Sequence, residues 1–284
     1  MSIEIKNVSR RFGDTQALDN VSTVFEGGQI YGLLGNNGAG KSTLLNIISD
    51  RLLANSGQVI IDGEAAHGND RALGKMFLMS EQNLFPDDMK VRDAFKAASY
   101  YYPSFDRIYA DSLAERFGLN VKKKIKTLST GYSSIFRLIL GLACGADYVF
   151  YDEPVLGLDA QHRDLFYRLL IERFANEQNT VVISTHLIAE VAAIVSHTVI
   201  IRNGVILKDA PTEELTADAF TVSGPAAAVD EFISGKHVLS ASSLGGLKTA
   251  SVQGKAEEIP AGLELSRLNL QDYFINLMEE EDRK

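Results

Sequence analysis

The chain has 284 residues, 45% of them apolar, enough for one large α/β domain with an appendage or for two modest domains. Its net charge of −9 argues against broad nucleic-acid binding through phosphate neutralisation, and its single cysteine, Cys144, excludes an internal disulfide and a multi-cysteine metal site. No apolar run is long enough to cross a bilayer, and the opening MSIEIKNVSRRFG lacks the apolar stretch of a secretory signal, so a cytoplasmic location is expected.

Residues 1–75 read as strands around a glycine-rich loop and the helix that follows it. The apolar strand Ile30 to Leu34 runs into Gly35-Asn36-Asn37-Gly38-Ala39-Gly40-Lys41-Ser42, the full G-x-x-x-x-G-K-[ST] pattern in a strand–loop–helix context. Glycines let backbone N–H groups converge on phosphate oxygens, and the helix points its positive end at the same oxygens. Lys41 is placed as a point charge for the β- and γ-phosphates, Ser42 as a hydroxyl for Mg²⁺, and Thr43 at the α-phosphate. A chance glycine turn would not fill every fixed position between a strand and a helix. This loop specifies a nucleoside triphosphate and says nothing about the reaction.

Residues 83–127 change character and read as helices with turn signals. Tyr109, Leu113 and Phe117 fall at i, i+4 and i+8, with Gly118 as a C-cap. The YYYP aromatics are read as core of this segment, and the KKKIK run as a solvated edge. LSTGY, residues 128–132, follows. It has no carboxylate, histidine or lysine, so it cannot do acid–base chemistry, but it can cap the helix YSSIFRLILGLA, on which Cys144 is expected simply to pack.

Tyr148 to Tyr151 form a short apolar run suited to a buried parallel strand, ending in Asp152-Glu153-Pro154. A carboxylate at the C-terminal end of such a strand can lie beside the phosphate loop. Asp152 is expected in the Mg²⁺ shell through water, and Glu153 as the base that polarises the attacking water. VVISTHLIAE, residues 181–190, is another strand, and its His186 is expected to reach the γ-phosphate. His67, His162, His197 and His237 lack that context and are read as structural. Beyond Leu215 the pattern suggests strand, helix and a hairpin turning at Gly245-Gly246; Leu270, Tyr273, Phe274 and Leu277 make an amphipathic stripe on a closing helix.

The order of these parts resembles the ABC-type ATPases, the nucleotide-binding subunits of ABC transporters. GNNGAGKS corresponds to Walker A, LSTGY to the signature, YVFYDE to Walker B, GLD with Asp159 to the D-loop, and His186 to the switch histidine. The resemblance covers roughly residues 3–216. It implies an α/β P-loop NTPase core, domain 1–216, with an inserted helical subdomain at 83–145, and leaves 217–284 as a small α+β accessory domain. In this family two ATPase domains pack head to tail, so Ser129, Thr130, Gly131 and Tyr132 would face ATP held by the other copy. Thr130 and Tyr132 depart from the usual LSGGQ, while the serine and second glycine, which carry the phosphate contacts, are retained.

The resemblance also implies that Phe12 stacks on adenine and that Glu81, or alternatively Gln82, fills the place of the usual Q-loop glutamine, where a carboxylate would serve Mg²⁺ or the attacking water. ATP and Mg²⁺ are the implied cofactors. The implied partners are separate membrane permease subunits and a second copy or a paired ATPase, with the chain peripheral on the inner face of the cell membrane, touching it only through the permease. The groove between helical subdomain and core is where a permease's coupling helix would dock. DEPVLGLDAQHR and STHLIAEVA look most like exporter ATPases of two-gene bacterial systems for peptides or antimicrobials, the phenol-soluble modulin exporter group among them. The alternative is a soluble ABC ATPase, such as one of iron–sulfur cluster assembly.

Overall fold

The structure is a computed structural model that describes residues 1–217, 219–255, 260 and 262–282. In chain order the first elements are β1 (Ser2–Phe12), β2 (Thr15–Glu26), β3 (Ile30–Leu34), α1 (Lys41–Ile48), β4 (Ser56–Ile61), β5 (Glu64–Ala65), α2 (Asp70–Leu73) and β6 (Met76–Met79). Next come α3 (Val91–Tyr101), α4 (Arg107–Arg116), α5 (Thr130–Ala143), β7 (Tyr148–Asp152), α6 (Ala160–Glu177), β8 (Thr180–Thr185), α7 (Ile188–Val191), β9 (His197–Arg202) and β10 (Val205–Pro211). The chain closes with α8 (Thr212–Ala217), β11 (Ala219–Pro225), α9 (Ala226–Ile233), β12 (Val238–Leu244), β13 (Leu247–Gln253), β14 (Glu264–Arg267) and α10 (Leu270–Asp282).

Two compact units divide the chain. The first holds residues 1–186 and 197–209, the second 187–196 and 210–284. In the first, a six-stranded sheet runs β10-β9-β3-β8-β7-β6, and β3, β6, β7, β8 and β9 pair in parallel. Every residue of β3 and of β8 is buried, as are the first four of β7. Such all-apolar runs are what a parallel strand covered on both faces requires. A smaller antiparallel sheet, β2-β1-β4-β5, shares a core with α1 built on Ile3, Ile5, Phe25, Leu44 and Ile48.

The parallel register sets up the chemistry. Leu34 pairs with Thr185, Asp152 with Ser184, and Met79 with Tyr151. The phosphate loop after β3, the carboxylates at the end of β7, residues 184–186, and the segment after β6 that carries Glu81 therefore leave one edge of the sheet together. This is the C-terminal edge, where open α/β sheets bind ligands.

Helices α3, α4 and α5 pack together on an aromatic cluster in which Phe95 stacks on Phe136 at 5.8 Å. Helix α4 ends as its sequence predicts, with Leu113 and Phe117 buried and Gly118 at φ +65°. The YYYP segment is a correction. Tyr102 packs edge-on against Phe77 at 5.4 Å, but Tyr100 and Tyr101 are 75% and 78% exposed. Helix α3 buries Val91, Ala94, Phe95 and Ala98, and that spacing turns position 100 outward, while Tyr101 is the last residue of the helix and stands at the edge of that face. The lysine run behaves as a solvated edge, with Lys124 and Lys126 paired to Asp88.

The second unit has its own four-stranded sheet, β12-β13-β11-β14, and its own core of Phe220, Val222, Val229, Ala250, Val252 and Leu263. The hairpin turns at Gly245 (φ +59°) and Gly246 (φ +88°), the pair of positive dihedrals that a two-residue turn demands. Leu270, Phe274 and Leu277 of α10 are buried, as their stripe predicts.

Candidate functional site

The phosphate loop turns tightly at the mouth of β3. Ala39 N–H donates to the Asn36 carbonyl at 3.1 Å, and Asn36, Asn37 and Gly38 form an exposed crest. Gly40 takes φ +110°, and a Cβ there would lie 2.7 Å from the Ala17 carbonyl of β2 and 2.9 Å from Leu18 Cδ2. A Cβ at Gly35 would come within 2.4 Å of the Ile201 carbonyl. Close backbone approach therefore requires both glycines, and at Gly40 the conformation requires it as well.

Lys41, 6% exposed, folds its ammonium back into the loop. It donates to the Gly35 carbonyl at 2.7 Å and the Asn36 carbonyl at 3.2 Å, and lies 3.4 Å from Glu153 Oε1. Glu153 is in the left-handed region at φ +47°, a strained place for a residue that is not glycine. Its N–H donates to the Ser184 carbonyl at 2.8 Å. Thr185 Oγ1 donates to its Oε2 at 3.0 Å, and His186 Nδ1 is 3.0 Å from its Oε1. The carboxylate predicted to act as base is thus held from three sides, by the phosphate-loop lysine, a buried threonine and the predicted switch histidine.

Asp152 sits one residue earlier and faces Ser42. Ser184 Oγ donates to its Oδ1 at 2.8 Å, and the Ser42 hydroxyl bonds to it as well. Burial raises its pKa above the usual carboxylate range; the Ser42 and Ser184 hydrogen bonds and the Lys41 charge oppose this, and the Glu153 charge adds to it. Among the described residues no group of three His, Cys, Asp or Glu side chains could hold a metal alone. A hydroxyl and one carboxylate are the donor set suited to a cation that keeps several waters and takes its other oxygens from phosphates, so Mg²⁺ fits at Ser42 and Asp152. Thr43 follows in the first turn of α1.

Ser129 is the N-cap of α5 and accepts from Tyr132 N–H at 3.4 Å. A Cβ at Gly131 would lie 3.3 Å from the Gly157 carbonyl, so the signature-like turn abuts the GLD segment of its own chain. Thr130 opens the helix and Tyr132 is 37% exposed. Asp159 is the N-cap of α6. It accepts from His162 N–H at 2.9 Å and pairs through Oδ2 with His162 Nδ1, and those His162 contacts hold its carboxyl below the usual range.

Phe12 is 45% exposed at the end of the β1–β2 hairpin, with the Arg10 guanidinium 4.6 Å from its ring centroid. Glu81 and Gln82 are exposed just beyond β6, and the Glu81 carbonyl accepts from Arg137 NH1 at 2.9 Å. His67, His162 and His197 each pair with an aspartate, Asp50, Asp159 and Asp209. Cys144 is buried, which pushes its thiol up to about 12.

Sequence reasoning overlooked three residues that shape the site. Ser184 and Thr185 orient the two carboxylates, and Arg137 grips the Glu81 segment. The serine and threonine were visible as the polar end of an otherwise apolar strand. Arg137 gave no signal beyond being the one charge in the apolar helix α5.

Residues 18–156 match the family model described as ABC transporter. The ABC transporter ATP-binding protein YtrB of Bacillus subtilis (strain 168) is 31% identical over 189 residues, 66% of this chain and 65% of YtrB, so the match spans less than two thirds of that relative. The petrobactin import ATP-binding protein YclP of the same organism is 28% identical over 222 residues, 75% of this chain and 88% of YclP. Among solved structures, the dimeric post-hydrolysis state of the ATP-binding cassette MJ0796 bound to ADP and Pi superposes with a TM-score of 0.65 at 22% identity, covering 74% of this chain and 98% of that one. The fold is that of the ABC-type P-loop ATPases.

Proposed function

We propose that this chain, which carries an ABC transporter ATP-binding domain, is the ATP-hydrolysing subunit of a bacterial exporter whose membrane subunits are separate proteins. The observation that carries the reading is the convergence of Lys41, Thr185 and His186 on the carboxylate of Glu153 at the sheet edge that also bears the phosphate loop. Glu153 accepts the proton of the attacking water, Lys41 and the loop N–H groups stabilise charge on the phosphate oxygens, and ADP and inorganic phosphate leave. Ser42, Asp152 and Glu81 are assigned to Mg²⁺, and Phe12 to the adenine ring.

A second copy supplies Ser129 and Gly131 to the γ-phosphate and Asp159 to the joint between copies. Each chain has both the hydrolytic cluster and the signature, so two identical copies suffice. The export direction rests on the likeness of DEPVLGLDAQHR and STHLIAEVA to peptide and antimicrobial exporters of the phenol-soluble modulin type. The relatives named above are, by name, an ABC transporter ATP-binding protein and a petrobactin import ATP-binding protein, which favours a transport role over an iron–sulfur assembly ATPase.

The permease contact is assigned to the groove of about 660 Å³ lined by Phe77, Leu84, Phe85, Met89, Tyr101 and Tyr102. Of the two exposed tyrosines that overturned the core reading, Tyr101 lies at this groove, which fits an amphipathic helix. Among the described residues no helix is long and apolar enough to cross a membrane, which accords with a peripheral subunit at the inner face. The test is membrane fractionation with the neighbouring membrane protein co-expressed. The wild-type chain should pellet with membranes and resist a salt wash. Tyr101→Asp should release it while the purified chain keeps ATP turnover within about twofold, as expected for a surface change away from the site. Retention of the variant on membranes, or a wild-type chain that never pellets, would overturn the groove assignment.

A further inference from the structure

Arg137 lies on α5, eight positions beyond the signature serine, and belongs to none of the motifs above. Its guanidinium reaches out of that helix in two directions. NH1 donates to the Glu81 carbonyl at 2.9 Å, and NH2 donates to Ser134 Oγ at 3.1 Å. Ser134, 4% exposed, donates in turn to the Leu156 carbonyl at 3.4 Å. Leu156 closes the turn after Glu153, with its N–H donating to the Glu153 carbonyl at 3.2 Å. A single run of hydrogen bonds therefore joins the segment bearing Glu81, the helix capped by Ser129, and the turn bearing Glu153.

We propose that Arg137 is a positioning residue for ATP hydrolysis: it sets the Glu81 segment against the Glu153 turn and ties both to the signature helix. The inference rests on Glu81 having the role assigned above.

Three physical points support it. Arg137 is set in a helix otherwise free of charge, where desolvation is unfavourable and lowers its pKa, and the facing Glu81 charge acts the other way. A planar guanidinium can hold two acceptors in fixed directions at once, which a lysine ammonium on a flexible stem does poorly. The place that the family usually fills with an uncharged glutamine is here a carboxylate, on the residue whose backbone carbonyl Arg137 holds.

The experiment is a double-mutant cycle on ATP turnover of the full chain, with Arg137→Ala, Arg137→Lys, Glu81→Ala and the double variant R137A/E81A. Arg137→Ala should lower kcat by about 5–30-fold, the range for loss of a coupled contact. KM for ATP should stay within about twofold, because Arg137 touches none of the phosphate-loop residues. Glu81→Ala should lower kcat similarly, and the double variant should be no worse than the weaker single variant. Arg137→Lys keeps the charge and should recover part of the loss. Its melting temperature, with that of Arg137→Ala, separates positioning from loss of fold.

Multiplicative losses in the double variant would mean that Arg137 acts independently of Glu81, and the proposal would fall while Glu81 kept its role. Wild-type turnover in Arg137→Ala with reduced turnover in Glu81→Ala would have the same result. Wild-type turnover in Glu81→Ala would remove the Glu81 assignment, and the proposal with it.

Discussion

Replacing Glu153 with Gln separates chemistry from architecture at this site. The side chain keeps its volume, and its remaining carbonyl oxygen can still accept from Thr185 Oγ1, now 3.0 Å from Oε2. What disappears is the proposed base and the charge opposite Lys41 at 3.4 Å. At that distance two unit charges attract by about 5 kcal/mol at an effective dielectric of about 20, a gross figure that desolvation of the buried lysine largely offsets. Lys41 also keeps the Gly35 and Asn36 carbonyls at 2.7 and 3.2 Å, so the net loss of folding stability should be about 1–2 kcal/mol. Losing a general base costs about 10²–10⁴ in rate, or about 3–5 kcal/mol in barrier. The effect on turnover should therefore exceed the effect on stability. The assay is phosphate release at saturating MgATP, alongside thermal melting and sizing with and without ATP. The expected result is a well-folded chain with turnover reduced at least about a hundredfold and an ATP-dependent dimer that accumulates. Turnover within about threefold of wild type would refute the assignment of Glu153 as base.

Two other predictions concern its neighbours. Because burial raises the Asp152 pKa in the folded state, its ionisation opposes folding: that stability is fully present below the unfolded pKa and is lost as pH rises through the higher folded one. Asp152→Asn removes the charge and can still bond Ser42 and Ser184, so its melting temperature at pH 7 should match or exceed wild type and vary less with pH across the acidic range, while Mg²⁺-dependent turnover collapses. A less stable Asp152→Asn with unchanged turnover would contradict both the burial argument and the metal assignment. Gly40→Ala puts a methyl 2.7 Å from the Ala17 carbonyl at φ +110°. It should destabilise the fold by about 1–3 kcal/mol and abolish binding of a fluorescent ATP analogue, as read by melting and titration.

Much of this site was legible in the sequence because its positions are specified by local chemistry. A strand that must be buried, a loop that must bring backbone to phosphate, and a helix that must start there leave few alternatives to Gly35 through Ser42. The same holds for the Gly245-Gly246 turn, where two adjacent positive dihedrals admit little else. Tyr100 and Tyr101 were misread because an aromatic run has no period of its own; only the stripe Val91, Ala94, Phe95 and Ala98 shows which face of α3 is inside. Ser184, Thr185 and Arg137 were not legible for a different reason. Their partners lie 32, 32 and 56 positions away, and meet them only because β7 and β8 pair in one register and α5 packs against β6.

The contrast between the two carboxylates shows how far register alone sets function. Asp152 and Glu153 are adjacent in the chain, yet one faces Ser42 and Ser184 and the other Lys41, Thr185 and His186. Side chains alternate across a strand, so adjacent residues would ordinarily point to opposite faces of the sheet. Strand β7 ends at Asp152, and at Glu153 the backbone turns to φ +47°. Its N–H, donating to the Ser184 carbonyl at 2.8 Å, prolongs the pairing of β7 with β8 by one bond beyond the strand. The dihedral strain is thus held by the neighbouring strand, and it turns the second carboxylate toward Lys41 on the phosphate loop. A shift of one residue between β7 and β8 would bring the residue before or after Ser184 opposite Asp152, and that side chain would face the other side of the sheet. The serine and threonine that orient the pair would be lost with no motif residue changed.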